Sequence, residues 1–348
     1  MWKMGPDPEF WWDYFRGGRA GGAAGGGVML PPSARLLLQL VLLAQAAGAL
    51  LLASLLWALG TPPWIALLAA CAAVVLVRLA INLNNFRMAM RAASVTPEAY
   101  RLDRRARLRL FLEEFRASML LSSLHVPCGR AAMRIHAGSA HPPVLLVHGY
   151  GCNSGYWKHL LPLLDARRIS HAGVDLEPVA GSIDDYVVQV EERVRALLGA
   201  SGEDKVAIVA HSMGGLVARA WMRDHGVERV ARVITLGTPH HGTVLANMGP
   251  GQNALQMRRA QDGEGGGAWL RALADGEDAA ARSLVTSIFT HHDNIVAPQT
   301  SSVLAGARNR AFGGVGHVAL GSNPRVLAEV LGELEALRCE RHGLAPHC

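Results

Sequence analysis

Two kinds of hydrophobic pattern divide this chain. The first hundred residues hold long unbroken apolar runs, whereas beyond about residue 125 the apolar positions form short β-branched groups between amphipathic stretches. From Leu36 to Leu59 there are 24 residues without a charge, mostly Leu and Ala. As a helix that run is about 36 Å long, enough to cross a hydrocarbon core of about 30 Å. Gly60-Thr61-Pro62-Pro63 breaks it, and a second run extends from Trp64 to Val77, or to Leu83 if Arg78 snorkels to an interface. The pair predicts a transmembrane helical hairpin over 36–83, preceded by a flexible tail, 1–35, with a Gly/Ala tract from Gly17 to Gly27. Two buried helices of a soluble core would give a similar pattern. A cleaved signal peptide fits worse, because a long segment precedes the first run and a second run follows at once.

Orientation follows from basic residues at the span ends. Lys3, Arg16, Arg19 and Arg35 precede the hairpin, and Arg87, Arg91, Arg101, Arg104, Arg105, Arg107 and Arg109 follow it, with no charge between the runs. Both flanks therefore prefer the cytoplasmic side, which predicts a two-span hairpin with the C-terminal domain facing the cytoplasm. Segment 84–125 reads as a basic juxtamembrane helix. Thr96 is its expected N-cap with Pro97 at the first helical position, and Leu108, Phe111, Leu112, Phe115 and Met119 form one apolar stripe. Its arginines suit anionic lipid headgroups.

Residues 126–348 read as an α/β domain. Strands are predicted at 144–147, 169–176, 206–209, 233–236, 285–289 and 309–312, with helices at 153–164, 183–198 and 213–224 between them. Alternation of this kind argues for a mainly parallel sheet covered by helices on both faces, with chemistry at the carboxyl ends of the strands. The insertion 244–282 reads either as a lid or as a surface excursion.

Composition removes several alternatives. Half the residues are apolar and 18% are charged, which excludes global disorder. Five cysteines in 348 residues do not make a disulfide scaffold, and Cys339 and Cys348 would stay reduced in a cytoplasmic domain. The net charge of +6 could suggest nucleic acid. The juxtamembrane arginines, however, follow a membrane hairpin and lack interleaved stacking aromatics, so no nucleic-acid partner is expected.

The candidate chemistry lies at three strand ends. Ala210-His211-Ser212-Met213-Gly214-Gly215 joins a buried strand to a helix as a nucleophile elbow, with small residues two before and two after Ser212. His148-Gly149-Tyr150-Gly151 follows the first strand. An acyl-transfer site needs two backbone N–H groups for the oxyanion, and Met213 and Tyr150 are placed to supply them. His148, beside Gly149, is read as orienting that loop. Serine needs a base and the base an orienting carboxylate, which Asp293 and His317 supply in the order Ser212, Asp293, His317. Asp175, Asp184 and Asp185 lie on the wrong loop for that role. The adjacent pairs His240-His241 and His291-His292 diverge and give no metal site. Cys152 has no base placed for it, and the Arg/Glu pairs of 183–198 read as a solvated face.

On these residues, with Leu236-Gly237-Thr238-Pro239-His240-His241-Gly242-Thr243 and His292 to Pro298, segment 140–335 resembles the α/β-hydrolase superfamily and specifically its bacterial triacylglycerol lipases. The resemblance implies an α/β-hydrolase fold and hydrolysis of fatty-acyl esters, acylglycerols above all, through an acyl-serine. It implies no organic cofactor, and no ligand set here matches the structural calcium of some lipases. The expected partners are a lipid ester and the bilayer; the oligomeric state is not readable. A phospholipase or lysophospholipase, an acyltransferase using the same triad, and a catalytically silent membrane scaffold are the alternatives.

Overall fold

The computed structural model describes residues 33–260 and 265–341. The expected tail lies almost wholly outside them, as does Cys348; Cys339 is disulfide-bonded, not reduced as expected.

The two apolar runs form helices α1 (Ala34–Ala58) and α2 (Pro63–Arg91), both long and apolar enough to cross a membrane. Leu43, Leu50, Leu51, Leu55, Leu68 and Leu76 point outward, whereas Ala66 and Ala70 are buried against the neighbouring helix. Small side chains let apolar helices approach closely. Arg78 does not snorkel away. It donates to Gln45 Oε1 on α1 at 2.6 and 3.1 Å, to Ser123 Oγ at 2.6 Å and to Ser122 Oγ at 3.3 Å.

The juxtamembrane helix starts later than Thr96. Pro97 precedes a single 3-10 turn (Glu98–Tyr100), and α3 (Arg104–Leu120) begins where the Asp103 carboxylate accepts the Ala106 N–H at 2.7 Å. The helix then continues through a π turn, Leu121–His125. Its apolar stripe is not the face that meets the α/β domain. The Phe111 ring packs tilted against that of Phe86 of α2, centroids 5.7 Å apart, and Met119 accepts from Arg78, while Leu108 and Leu112 are exposed. Leu110 and Glu114, one turn apart, are the residues buried on the other side.

The sheet comprises β1 (Met133–Arg134), β2 (Val144–Val147), β3 (His171–Val174), β4 (Val206–His211), β5 (Val230–Leu236), β6 (Val285–Thr290) and β7 (Arg308–Phe312). Their order is β1-β3-β2-β4-β5-β6-β7, and only the edge pair β1–β3 is antiparallel. Register brings the strand ends level: Val147 faces Ala210, His211 faces Leu236 and Thr290 faces Phe312. Successive residues serve opposite cores, Leu145 and Val147 on one face and Val144 and Leu146 on the other. That is why the strands read as continuous apolar runs rather than alternating ones.

Helices α4 (Leu161–Ala166), α5 (Ile183–Ser201), α6 (Met213–His225), α7 (Gln252–Gln256), α8 (Ala268–Asp275), α9 (Ala279–Ser283) and α10 (Pro324–Arg341) cover the faces. The expected helix 153–164 is split. Asn153 caps a 3-10 turn, 154–159, and α4 restarts around Pro162, whose missing N–H suits a helix start. The face of α5 read as solvated holds a buried hub: Glu191 accepts from Trp221 Nε1 at 2.9 Å and from Arg229 at 2.9 and 3.1 Å. Burial opposes its charge, but Arg229, Trp221 and Arg195 outweigh that and hold the carboxyl down at about 2.

The second half of the insertion is packed rather than raised. Leu270 and Leu273 enter the core, Trp269 Nε1 donates to Asp184 at 2.7 Å, and Glu277 accepts both arms of Arg219 at 2.6 Å. The Arg219 and Glu277 side chains are 1% and 2% exposed, so this pair clamps the insertion to α6.

Candidate active site

Ser212 ends β4 and precedes α6 with φ 53° and ψ −125°, a sharp left-handed turn for a residue with a side chain. Hydrogen bonds hold it there. Its N–H donates to Leu236 O at 2.8 Å, and its carbonyl accepts from Gly215 N at 3.1 Å and Thr238 Oγ1 at 2.8 Å. Thr238 belongs to the Gly-Thr-Pro stretch, so that motif braces the elbow. A Cβ at Gly214 would lie 2.5 Å from His148 O and 2.6 Å from Val147 O, which explains the glycine two residues after the serine. Ala210 is buried within one core and needs no smaller side chain.

The other two predicted residues meet each other. His317 Nδ1 lies 2.8 Å from Asp293 Oδ2, with the two side chains 6% and 2% exposed. The second Asp293 oxygen accepts the N–H groups of Ile295 and Val296 at 2.8 and 2.7 Å, which fixes its rotation. Burial alone would push the imidazole down; the Asp293 charge and hydrogen bond, with a further contribution from Glu114, hold it above the ordinary range. Gly237, the residue after Leu236, backs this pair: a Cβ there would lie 3.2 Å from both Asp293 Oδ2 and His317 Nδ1. His211, beside the serine, has its ring 4.6 Å from that of His317 and its Nε2 3.3 Å from His317 O. The elbow and the Asp–His pair thus share one corner of the carboxyl edge.

The loop after β2 has the form its sequence suggested. His148 Nδ1 donates to Gly149 O at 2.9 Å while Nε2 accepts the Leu176 N–H at 2.9 Å, so the neutral ring ties this loop to the one after β3. Burial holds that imidazole low, in keeping with neutrality. Gly149 lies against Ser212 Cβ, and Tyr150 donates its hydroxyl to Pro250 O at 2.7 Å. Met213 is the first residue of α6, so its N–H has no partner within the helix.

Other acids and thiols are engaged elsewhere. Asp175 accepts from Ser154 and Ala131, and Asp184 from Arg223 and Trp269. Burial pushes the Cys152 thiol up to about 12, far from a thiolate nucleophile. His240 is enclosed by Arg219, Thr235 and Ser287. His136, Asp165 and His171 bring their ligand atoms within 4.8 Å, but at the opposite edge of the sheet, where Arg134 already sits 2.6 Å from Asp165.

Three residues that pattern reasoning passed over hold the Asp and His loops. Asn294 Oδ1 accepts the His317 N–H at 3.0 Å, and Gln299 Nε2 donates to Asp293 O at 2.9 Å. Glu114 of α3 accepts the N–H groups of Val318 and Ala319 at 3.0 and 2.9 Å. A Glu in a basic helix, off its apolar stripe, carries no signal that could have flagged it.

Residues 142–275 match the family described as alpha/beta hydrolase fold. Pimeloyl-[acyl-carrier protein] methyl ester esterases of Aeromonas hydrophila and Vibrio atlanticus are each 31% identical, over 102 and 103 residues, or 28% and 30% of this chain. The match spans only 38% and 39% of those relatives' own length. Among solved structures, a Bacillus licheniformis lipase in its mature form superposes with a TM-score of 0.51 at 20% identity, covering 59% of this chain and 97% of that one. An Aspergillus fumigatus lipase B gives 0.50 at 19%, covering 59% and 56%. At such identity the likeness is one of fold, and the fold is that of the α/β-hydrolases.

Proposed function

We propose that this α/β-hydrolase-fold chain is a membrane-anchored serine carboxylic ester hydrolase acting on fatty-acyl esters of the acylglycerol type. The observation that carries the reading is the buried Asp293–His317 pair, 2.8 Å apart, beside a strained serine elbow at the same sheet edge. Ser212 attacks the ester carbonyl while His317 accepts its proton and later returns it to the leaving alcohol. Asp293 fixes the tautomer and stabilises the imidazolium. The N–H groups of Tyr150 and Met213 receive the oxyanion. Water then cleaves the acyl-serine by the same path.

The placement of the hairpin favours a lipid over a carrier-bound ester of the kind named for the curated relatives. The end of α2 packs by Met88, Ala89 and Ala92 against Val244, Leu245, Ile295 and Ala297, at the edge that carries the site. A cavity of about 350 Å³ opens there beside Asp293, with an apolar wall of Phe86, Ala89, Met90, Leu110 and Phe111 for part of an acyl chain and a polar rim that includes Arg101, Arg107 and His292. With basic flanks on both sides of the hairpin, the catalytic domain would face the cytoplasm from a bacterial inner membrane.

The test is fluorophosphonate labelling and ester turnover of detergent-solubilised protein and its Ser212→Ala variant, across acyl lengths and with a phospholipid alongside. Labelling of the wild type alone, with turnover rising toward long chains, is expected. Dominant phospholipid turnover would redefine the substrate. No labelling and no turnover in folded protein would leave a silent membrane module.

A further inference from the structure

The loops that carry the acid and the base are held from outside the hydrolase domain. Ser94, just after α2, donates through N–H and hydroxyl to Gln299 Oε1 at 3.0 and 3.2 Å, and Gln299 in turn holds Asp293 O. The Tyr100 ring lies 4.6 Å from His291. Glu114 is 0% exposed, and each of its oxygens accepts one N–H from the two residues after His317. A Cβ on Gly316, the residue before, would run into the same carboxylate. Val318–Gly321 is a 3-10 turn whose first N–H groups have no partner of their own, and Glu114 caps it from a helix 204 residues earlier.

Burying a carboxylate is costly unless hydrogen bonds or charges compensate. Among the described residues no Lys or Arg pairs with Glu114; its compensation is two backbone N–H groups and the neighbouring imidazole. We propose that Glu114 is a positioning residue of the active site, fixing the His317 loop so that the juxtamembrane helix sets where the catalytic base stands. This rests on the functional reading above.

The groups that face His317 are Asp293 from the loop after β6, Glu114 from α3 and His211 from β4; Tyr156 also faces Glu114. Burial, with the Asp293 charge, pushes the Glu114 carboxyl up, while the Val318 and Ala319 N–H groups and His317 pull it back toward the charged form; when ionised, Glu114 adds a second negative charge opposite the imidazolium. A purely space-filling role would not touch the titration of His317, whereas this role would.

The variant is Glu114→Gln in the full chain, solubilised in detergent. Its shape is kept, its charge is lost, and its amide NH₂ must meet a backbone N–H. We expect kcat to fall about ten-fold with KM little changed. The acidic limb of kcat/KM should move to lower pH, because His317 loses a partner that favours its protonated form. The His317 imidazole, followed by NMR in histidine-labelled protein, should titrate lower by the same amount. Should Glu114→Gln fail to fold, Ala319→Pro removes one of the two donors and leaves the carboxylate; a drop of about three-fold is then expected. Unchanged kcat, limb and imidazole titration overturn the inference, and so does a lower kcat with both titrations unmoved. A wild type that neither labels at Ser212 nor cleaves esters would sink the functional reading instead, while the histidine titration would still decide whether Glu114 holds His317.

Discussion

The proposed nucleophile and its proposed base are built in opposite ways. Ser212 stands on a strand, a turn and a helix that are contiguous in sequence, and Val147, His148, Leu236 and Thr238 close around it from the neighbouring strand ends. His317 and Asp293 stand on loops braced nearby by Asn294 and Gln299 and, from about two hundred residues away, by Glu114 directly and by Ser94 through Gln299. One half of the chemistry is thus a property of the sheet. The other half is finished by the segment that follows the hairpin.

Substitutions that separate the two halves should fall in a definite order. Ser212→Ala removes the locally built half and should lower turnover by about 10⁴-fold or more while leaving the fold intact, as read by ester hydrolysis and loss of fluorophosphonate labelling. Near-full activity in that variant would end the scheme. Asp293→Asn keeps the shape but not the charge, and a loss of about 10³ to 10⁴ in kcat is expected. Because Asp293 helps hold the imidazole above its ordinary range, its acidic limb should also shift downward. In the wild type, turnover should correspondingly fall as pH drops through a limb above the usual histidine range, since only neutral His317 can accept a proton. Gln299→Leu cuts the link from Ser94 to Asp293 and should cost roughly ten-fold in kcat, since the side chain's bond to Asp293 O and both bonds from Ser94 are lost. Ser94→Ala is the mildest break, about two- to three-fold, because Gln299 keeps the Ser94 N–H. Equal effects for the last two and for Ser212→Ala would erase the distinction between local and remote construction.

The same division governs what the sequence revealed. The hairpin helices, the six parallel strands and the elbow are contiguous patterns, and apolar period and turn chemistry expose them directly. The Asp293–His317 pairing was legible because each follows a strand end in the expected order. Glu114 was not, since its burial depends on which side of α3 meets the hydrolase domain, and the apolar stripe marked the other side, toward α2. Glu191 misled for the same reason: a charged residue on an amphipathic helix reads as solvated until Trp221 and Arg229 are brought over it by the fold. The two-residue β1 has too little sequence to carry a pattern at all. The start of α3 went astray because Thr96-Pro97 and Asp103 are both good caps, and docking of Tyr100 on the domain selects the second.

Arg78 carries a consequence for how such a chain is made. Its guanidinium lies 15 residues beyond the start of α2, and of its partners Gln45 is in the hairpin while Ser122 and Ser123 belong to the π turn after α3. A hairpin newly threaded into a bilayer would have only Gln45 to satisfy it, and an incompletely paired arginine within a span costs roughly 2.5 to 3.5 kcal/mol. Docking of the finished downstream segment removes that burden. In the membrane-anchored chain proposed above, acceptance of the hairpin by the bilayer would thus be tied to completion of the downstream fold.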